Sequence, residues 1–527
     1  MAILASRANV RGWRAVAAVA AAGTVAALLA GCSGGGKSSS STQATTLTIA
    51  ASSAPGSFDP TKDSNGGTQT MYQELAYEPL IEKAADGSYA PGLATKWGYV
   101  AGQEGKQFEL TLRQGAKFAD GTAVTAEAVA NSLNYFSKNV TGPSAASVKG
   151  ITAQAEGSDK VLLTAPTPNP IIAELLTPYN LAGNVMSAAG LAKPSALANA
   201  TFGAGPYVYQ PSQSVTGDHY VFTPNKYYYD QKRIHFKEVV IKVISNNTSA
   251  MQALRSGQVD VFAGDSTQVS TAKSAGVKIY SGTNGFTGLF IMDWAGKLSP
   301  ALGNQQVRQA LNYAVDRKAI AKAVFGDYGT PTDQPNTPGW DAYDKSLENT
   351  YSYDPAKAKQ LLKDAGYGNG FSFALVYNSF EPTTAKVVQA VADQLGKVGV
   401  TVKLTGASNF SELGTDLSSN KFSALSLGWG GQTQFVNTNQ LWVQGASVNP
   451  YNNTVPGLPA AFSAYTSSTD ADRNAKAQAV QKIIVDQAVS IPVVQSKGLW
   501  FASSKLKGFK LDPTGNPNNA ADWTLGK

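Results

Sequence analysis

The chain has 527 residues, of which 43% are apolar and 9% aromatic, a composition typical of a globular protein with two or three domains. Its formal charge is +7, and because the basic residues are interspersed rather than grouped, no nucleic-acid partner is expected. With only His219 and His235, neither a histidine-based metal site nor a histidine-based catalytic site is expected, and no cofactor is implied.

The N-terminal segment has the order of an export signal. Arg7, Arg11 and Arg14 come first, and an apolar run over residues 15–30 follows. This run is too short and too rich in alanine to predict a membrane-spanning helix, which needs about 20 strongly apolar residues. We therefore predict a signal peptide over residues 1–31 and a flexible linker over residues 32–46, rich in serine and threonine. Without the three arginines the chain has 40 basic and 36 acidic residues, a net charge of +4.

Cys32 is the only cysteine of the chain and lies where the apolar run ends. The sequence Leu29-Ala30-Gly31-Cys32 resembles the bacterial lipobox. The resemblance implies cleavage before Cys32 and attachment of lipid to its thiol, which would anchor the protein to the outer face of the cytoplasmic membrane. A buried core cysteine is the alternative, and the whole export pattern argues against it.

Two enzyme patterns overlap the same stretch. Residues 31–38 satisfy the phosphate-loop pattern G-x-x-x-x-G-K-S, and residues 31–35 satisfy the G-x-S-x-G pattern of serine hydrolases. Both patterns need a strand before them and a helix after them, because the loop or the nucleophile must stand at that junction. Here a signal precedes them and a serine-rich linker follows, so we reject both interpretations.

The first half of the folded chain predicts alternating strands and helices. Strands are expected at residues 47–50, 108–112, 161–165, 239–244 and 259–262. A helix is expected from Thr68, and a second from the cap residue Thr125, with Val129, Leu133 and Phe136 on its buried face. A third is expected over residues 248–255. This order indicates an α/β protein with crossover connections.

The second half continues the alternation. A strand is expected around residues 285–293, followed by a helix through Val307 and Leu311 and another capped by Asp316. Asp354 and Pro355 form a strong helix start, with Gly366 as its stop. A helix over residues 385–398 precedes a strand at residues 400–404.

Short motifs follow one another over nearly the whole mature chain. They are Tyr77-Glu78-Pro79-Leu80-Ile81, residues 87–94, the stretch LRQGAKFADGT at residues 112–122, Gly203-Ala204-Gly205-Pro206-Tyr207, Val307-Arg308-Gln309-Ala310-Leu311, Val315-Asp316-Arg317 and residues 353–358. Together they resemble the motifs of the extracellular solute-binding proteins of ABC importers, in the dipeptide, oligopeptide and nickel group, and residues 112–122 resemble the signature of that family. Each motif is short, and the specificity lies in their joint occurrence in order.

The resemblance implies a two-lobed α/β fold of the periplasmic-binding-protein type. The first lobe is expected to be discontinuous, over residues 47–82, 203–280 and 490–527, with an inserted extra domain over residues 83–202. The second lobe is expected over residues 281–489. A solute would bind in the cleft, and closure of the lobes would be sensed by the permease subunits. No catalysis is implied, and the protein is expected to be a monomer.

The resemblance also implies a set of ligand-binding positions. In peptide-binding members an extended ligand pairs with backbone on both sides of the cleft. The matching positions are Asn65, Gly66, Gly67, Thr68, Gly428, Trp429 and Gly430. Trp429 could offer an apolar face, with ordinary core packing as its alternative. Trp294, which follows a predicted strand, is a weaker candidate of the same kind.

One position departs from the family pattern. Oligopeptide-binding relatives have an aspartate three residues after the tryptophan, where it holds the ligand's amino terminus, and this chain has Gln432. A neutral amide cannot form the charge-assisted contact. Free peptides are therefore expected to bind weakly, and sugars, modified peptides, opines and metal chelates stay open as ligands. A solute-sensing receptor subunit and a secreted hydrolase are the alternative functions.

Overall fold

The strands form around the predicted β-branched and apolar runs. The computed structural model describes residues 46–62, 68–141, 145–469 and 471–526, with the side chains of residues 68 and 69 left out. The strands are β1 (Thr46–Ala51), β2 (Ile81–Lys83), β3 (Tyr89–Pro91), β4 (Ala94–Tyr99), β5 (Gln107–Leu112), β6 (Thr152–Glu156), β7 (Lys160–Thr164), β8 (Tyr207–Tyr209), β9 (His219–Pro224), β10 (Glu238–Val243), β11 (Val261–Gly264), β12 (Lys278–Ile291), β13 (Gly329–Pro331), β14 (Phe371–Asn378), β15 (Val400–Ala407), β16 (Ala424–Gly430), β17 (Ser490–Ala502), β18 (Leu506–Lys507) and β19 (Thr524–Leu525).

The helices alternate with these strands. They are α1 (Thr68–Ala76), α2 (Ala126–Asn139), α3 (Ala145–Val148), α4 (Ile172–Leu175), α5 (Ala188–Leu191), α6 (Asn247–Arg255), α7 (Val269–Ser274), α8 (Gln305–Tyr313), α9 (Arg317–Phe325), α10 (Pro355–Asp364), α11 (Pro382–Gly396), α12 (Phe410–Ser418), α13 (Gln434–Leu441), α14 (Leu458–Thr466) and α15 (Arg473–Asp486). The predicted α/β alternation is confirmed in both halves of the chain.

The predicted helix starts are confirmed by their capping bonds. The Thr125 hydroxyl accepts a hydrogen bond from the amide of Ala128 at the start of α2. Asp316 caps α9 through the amide of Ala319, at 3.0 Å, and Asp354 caps α10 in the same way. Each cap satisfies an amide group that the helix itself leaves without a partner.

The largest sheet runs in the order β15-β14-β16-β12-β17-β11-β1-β10-β9-β8, and β13 also pairs with β17. At one side, β1 is parallel to both β10 and β11. At the other side, β14 is parallel to both β15 and β16. Strands β12 and β17 lie between these two groups and are antiparallel to each other. The sheet therefore has two α/β halves joined by a pair of long strands.

The two central strands pass from one half to the other, and we call them the crossing strands. The first part of β12 pairs only with β17, opposite the residues of β17 that also pair with β11. From Gly285 onward β12 also pairs with β16. The β12–β17 register shifts between Thr283 and Gly285, and again between Thr287 and Gly288. The predicted boundary at residues 280 and 281 thus falls inside β12, and the division into lobes stays a proposal.

A separate antiparallel sheet, β4-β5-β7-β6, lies within the range predicted for the extra domain. Its strand β5 alternates buried and half-buried residues, as the sequence predicts, with Phe108, Leu110 and Leu112 buried. Helix α2 buries Val129, Leu133 and Phe136, and its contacts with β6 and β7 cover the sheet. Alternation of period two in the strand and an apolar stripe in the helix together make this core.

The motif at residues 203–207 needs its glycines for close packing. A Cβ atom on Gly203 would lie 2.3 Å from the carbonyl oxygen of Ala76, and one on Gly205 would lie 2.4 Å from the carbonyl carbon of the same residue. Only a residue without a Cβ permits this approach of backbone to backbone. The motif thus packs the chain at residues 203–205 against the end of α1.

Two buried arginines have a structural role in the motifs at residues 307–311 and 315–317. Arg308 donates to the carbonyl oxygens of Trp294, Leu302, Gly303 and Gln487. Arg317 donates to backbone oxygens that include those of Thr332 and Pro492. A buried guanidinium is stable only when its donors are paired. These motifs therefore hold α8 and α9 against neighbouring loops and against β17.

Within the described residues, no helix is long and apolar enough to cross a membrane.

Candidate functional site

A cavity of about 410 Å³ lies between the end of β16 and two segments that are distant in sequence, around residues 171–180 and 514–516. This volume is within the range of about 300–1,000 Å³ that is usual for small-molecule sites. One wall, which we call the tryptophan wall, follows β16 and is lined by Asn284, Trp340, Trp429, Gly430, Gly431, Gln432, Thr433, Val436 and Gln440. The other, which we call the glutamate wall, is lined by Ile171, Glu174, Tyr179, Asn180, Thr514 and Asn516.

The tryptophan wall is built on the end of a paired strand. Trp429 pairs with Phe286 of β12, and its ring packs edge-on against Phe290 at a centroid distance of 5.6 Å. Its indole Nε1 donates to the Oδ1 of Asn437 in α13, at 2.9 Å. The ring is therefore held from the sheet and from the following helix, and its half-buried face is available to a solute.

Gly431 fits between the strand end and a loop tryptophan. A Cβ atom on Gly431 would lie 2.3 Å from the Nε1 of Trp340 and 2.9 Å from the Oγ1 of Thr337. The amide of Gly431 donates to the carbonyl oxygen of Asn284 at 3.1 Å. Glycine is therefore required for Trp340 to reach the cavity at this place.

The glutamate wall combines a short helix with the C-terminal tail. The Glu174 side chain in α4 forms an ion pair with Lys83, whose Nζ lies 2.9 Å from Oε2. The Tyr179 hydroxyl donates to Asp512 at 3.0 Å. The other carboxylate oxygen of Asp512 accepts from the amides of Thr514 and Asn516. These hydrogen bonds to Asp512 hold the C-terminal tail segment, which lines the cavity, in its conformation.

Buried carboxyl groups stand behind the glutamate wall. Burial raises the pKa of Glu74 to about 8, and repulsion from Glu82 and Asp512 acts in the same direction. Burial also raises the pKa of Glu78 to about 8. Glu78 accepts hydrogen bonds from the hydroxyls of Tyr228 and Tyr229. Both shifts have the same main cause, because the low local polarity penalises the carboxylate form of each group.

A second cavity, of about 560 Å³, lies on one side of the crossing strands only, beside Arg317. The charged side chains that line this second cavity are engaged in ion pairs and hydrogen bonds within the protein. Arg317 pairs with Asp333 at 2.9 Å, and Glu348 accepts from the Thr332 hydroxyl and from the amide of Asp333. The polar groups of this second cavity are already engaged, whereas the 410 Å³ cavity joins the end of β16 to two distant segments of the chain. We therefore take the 410 Å³ cavity as the candidate site.

The structure brings three of the predicted site residues together. Trp429, Gly430 and Gln432 all line the cavity. Gly428 lies in β16 opposite Thr287, and it does not belong to the lining. Asn65, Gly66, Gly67 and Cys32 lie outside the described residues, and Thr68 begins α1.

The expectation for Trp294 needs a correction. Its side chain is only 4% exposed and belongs to the hydrophobic core, and it does not line the cavity. Its carbonyl oxygen accepts from Arg308. The strand before it ends at Ile291, and the chain then turns inward, so Trp294 packs inside the molecule rather than reaching a solute.

The sequence interpretation missed Glu174, Tyr179 and Trp340. A signal for Glu174 was available, because it is a lone carboxyl in the apolar run Ile171-Ile172-Ala173-Glu174-Leu175-Leu176. Trp340 follows Pro338-Gly339, and a tryptophan after a turn dipeptide is a candidate for a binding loop. No local pattern marks Tyr179.

Comparison with known proteins identifies the family. The model of "Bacterial extracellular solute-binding proteins, family 5 Middle" matches residues 88–450. The chain belongs to this family. The solute-binding protein is 26% identical over 507 residues to "Probable D,D-dipeptide-binding periplasmic protein DdpA" of Escherichia coli (strain K12), covering 89% of this chain and 92% of the relative. It is 28% identical over 364 residues to the glutathione-binding protein GsiB of Salmonella typhimurium, covering 67% and 68%.

Solved structures show the same architecture. The substrate-binding protein CtaP of an ABC transporter from Listeria monocytogenes superposes with a TM-score of 0.79 at 21% identity, covering 92% of this chain and 100% of that chain. The family resemblance and the two-lobed α/β fold class predicted from the sequence are thus confirmed. The relatives named here are binding proteins, as a receptor function requires.

Among the described residues, no group of three or more histidine, cysteine, aspartate or glutamate side chains could hold a metal ion.

Proposed function

We propose that this protein captures a small peptide or peptide-like solute in the 410 Å³ cavity and delivers it to the permease of an ABC importer. The observation that carries the proposal is the lining of the cavity, which brings the end of β16 together with the distant segments around residues 171–180 and 514–516. A solute held by both walls would stabilise the closed arrangement, since it gains contacts there that it lacks when the walls separate.

The proposed binding set on the tryptophan wall is Trp429, Gly430 and Gln432. The aromatic ring supplies a large apolar contact at little cost in conformational entropy. The exposed backbone at Gly430 allows close approach of an extended ligand. Gly428 and the segment over residues 65–68 stay in the proposal as backbone partners, as the family resemblance implies. The names of DdpA and GsiB, which refer to a dipeptide and to glutathione, support a peptide-like solute.

We also propose that the protein is exported and anchored by lipid on Cys32 to the outer face of the cytoplasmic membrane, as a monomer. The location would keep the receptor near the permease. A Cys32→Ala variant should leave the membrane fraction and appear in the soluble extracellular or periplasmic fraction, as measured by fractionation and immunoblotting. A variant that stays in the membrane fraction contradicts the anchor.

The binding function is tested by mass spectrometry of the solute released from purified protein, followed by calorimetric titration of that solute. We expect saturable binding and recovery of the solute unaltered. Catalytic turnover of the solute would instead support the hydrolase alternative. A recovered sugar, opine or metal chelate would keep the receptor function and overturn the peptide-like ligand.

A further inference from the structure

The glutamate wall holds a carboxylate oxygen that the protein does not use. Glu174 lines the cavity and is only 2% exposed. The Lys83 ammonium and the Tyr89 hydroxyl both bind its Oε2, each at 2.9 Å. Its Oε1 is buried and has no hydrogen-bond partner among the described residues. A buried acceptor without a donor is costly, so a solute that supplies a donor there gains affinity.

The charge of Glu174 is already balanced. Lys83 lies at ion-pair distance and is itself largely buried, so the pair as a whole is neutral. A second pair of opposite charges, Asp341 and Arg473, acts on the same region through Tyr89. An additional cation at Oε1 would stand close to the Lys83 ammonium and be repelled by it. The site therefore favours an uncharged N–H donor over an ammonium group.

The tryptophan wall offers the complementary group. Trp340 lines the same cavity, and its Nε1 is buried with no hydrogen-bond partner in the part of the chain that is described. The Lys83 Nζ lies 5.8 Å from the centroid of the Trp340 ring. Lys83 thus lies close to both side chains, and the unused donor of Trp340 and the unused acceptor of Glu174 belong to residues that line the same cavity.

We propose that Glu174 Oε1 and Trp340 Nε1 together bind the N–H and the carbonyl oxygen of a neutral amide at the end of the solute, so that the cleft selects peptides whose amino terminus is acylated. The inference rests on the proposed peptide-binding function and specifies its substrate class. Gln432 agrees with it, because this cavity residue carries no charge to hold a free amine.

The experiment is calorimetric titration of the full-length protein with two probes, Ala-Ala-Ala and N-acetyl-Ala-Ala-Ala. The acetylated probe should bind at least about fivefold more tightly. Trp340→Phe removes the donor and keeps an aromatic ring. Glu174→Gln should direct its amide oxygen to Lys83 and Tyr89 and present an NH₂ group where Oε1 was. Each variant should weaken binding of the acetylated probe by about tenfold, the effect of one buried hydrogen bond.

Matched controls separate this role from general damage. Glu109→Gln breaks another glutamate–lysine pair, with Lys160 at 2.9 Å, in the separate sheet β4-β5-β7-β6. Trp97→Phe alters a tryptophan of β4 in the same sheet. Both should leave affinity within about twofold, because neither residue lines the cavity. Near-UV circular dichroism checks that each variant is folded. If Glu174→Gln does not fold, the amide site is tested by the affinity of Trp340→Phe for the acetylated probe.

The outcomes distinguish a failure of the amide site from a failure of the proposed peptide-binding function. Tighter binding of the free peptide, or variants that behave like their controls, overturns the amide site and leaves the peptide function standing. Failure of both probes to bind the unmodified protein contradicts both proposals.

Discussion

The two walls of the cavity are built in different ways. Most of the tryptophan wall is one stretch, in which the strand end, the bend and the following helix run from Trp429 to Gln440. Asn284 and Trp340 join it from elsewhere in the chain. The glutamate wall joins a short helix at residues 172–175 to a tail segment at residues 512–516. The first wall is neutral and aromatic, whereas the second is backed by buried carboxyl groups. The members that share one stretch, Trp429, Gly430 and Gln432, were named from the sequence, whereas members that join from distant stretches, such as Trp340 and Tyr179, were missed.

The strongest test of the tryptophan wall is Trp429→Ala. The substitution removes the half-buried ring, its contact with Phe290 and its hydrogen bond to Asn437. We expect solute affinity to fall by about 30-fold or more, since central aromatic contacts dominate binding energy. The free energy of unfolding should fall by about 2 kcal/mol, less than for a fully buried tryptophan. Calorimetry and urea unfolding measure the two effects.

Trp97→Ala in β4 is the matched control, because it removes a partly buried tryptophan outside the cavity. It should lower stability without changing affinity. Equal losses of affinity in both variants would mean that Trp429 acts through stability alone.

The buried carboxyl groups behind the glutamate wall predict a pH dependence. Because burial raises the pKa of Glu74 from 4.5 to about 8, the folded state binds more protons than the unfolded state between these pH values. The free energy of unfolding should therefore fall as pH rises through this window, by up to about 1.4 kcal/mol per pH unit from this one group. The stabilisation is fully present below pH 4.5 and is lost as pH rises through about 8.

Glu74→Gln keeps the shape of the side chain and removes the titration. Urea unfolding at about pH 5.5 and 7.5 should show a smaller loss of stability with pH in the variant than in the unmodified protein, with a difference of up to about 2.5 kcal/mol. Glu127→Gln, on an exposed residue in the first turn of α2, should leave the slope unchanged. A slope that Glu74→Gln does not reduce would contradict the raised pKa.

A smaller effect is expected at the contact between the tryptophan wall and Trp340. Gly431→Ala introduces a Cβ atom 2.3 Å from the Trp340 Nε1, so the indole must move away from its place in the lining. We expect solute affinity to fall by about tenfold. Gly98→Ala is the control, because a Cβ atom there meets no atom within 4 Å. Unchanged affinity in Gly431→Ala would show that the position of Trp340 is unimportant.

The sequence interpretation succeeded where a feature depends on residues that are close together in the chain, and it failed where a feature depends on residues that are far apart. Asp316 and Asp354 could be assigned as helix caps, because a cap bonds to an amide two or three residues away. Trp429, which was expected from the family resemblance to face the ligand, lines the cavity. Trp294, the weaker candidate, lies in the hydrophobic core and outside the cavity lining, and its burial depends on residues that are distant in the chain.

The unpredicted parts of the site depend on tertiary contacts. The ion pair between Lys83 and Glu174 joins residues that lie far apart in the chain. The bond between Tyr179 and Asp512 spans 333 positions. Neither leaves a periodic or local pattern, so only the folded structure shows that these residues share a wall.

The crossing strands have a consequence for how the chain can be divided. Each half of the large sheet depends on β12 or β17 for its pairing, since β16 pairs with β12 and β11 pairs with β17. A fragment limited to residues 284–489 would expose a long strand edge where β17 belongs, and such edges promote aggregation. Because both halves of the sheet depend on the crossing strands, we expect a fragment that contains only one half to fold poorly, and we expect unfolding to be cooperative across both.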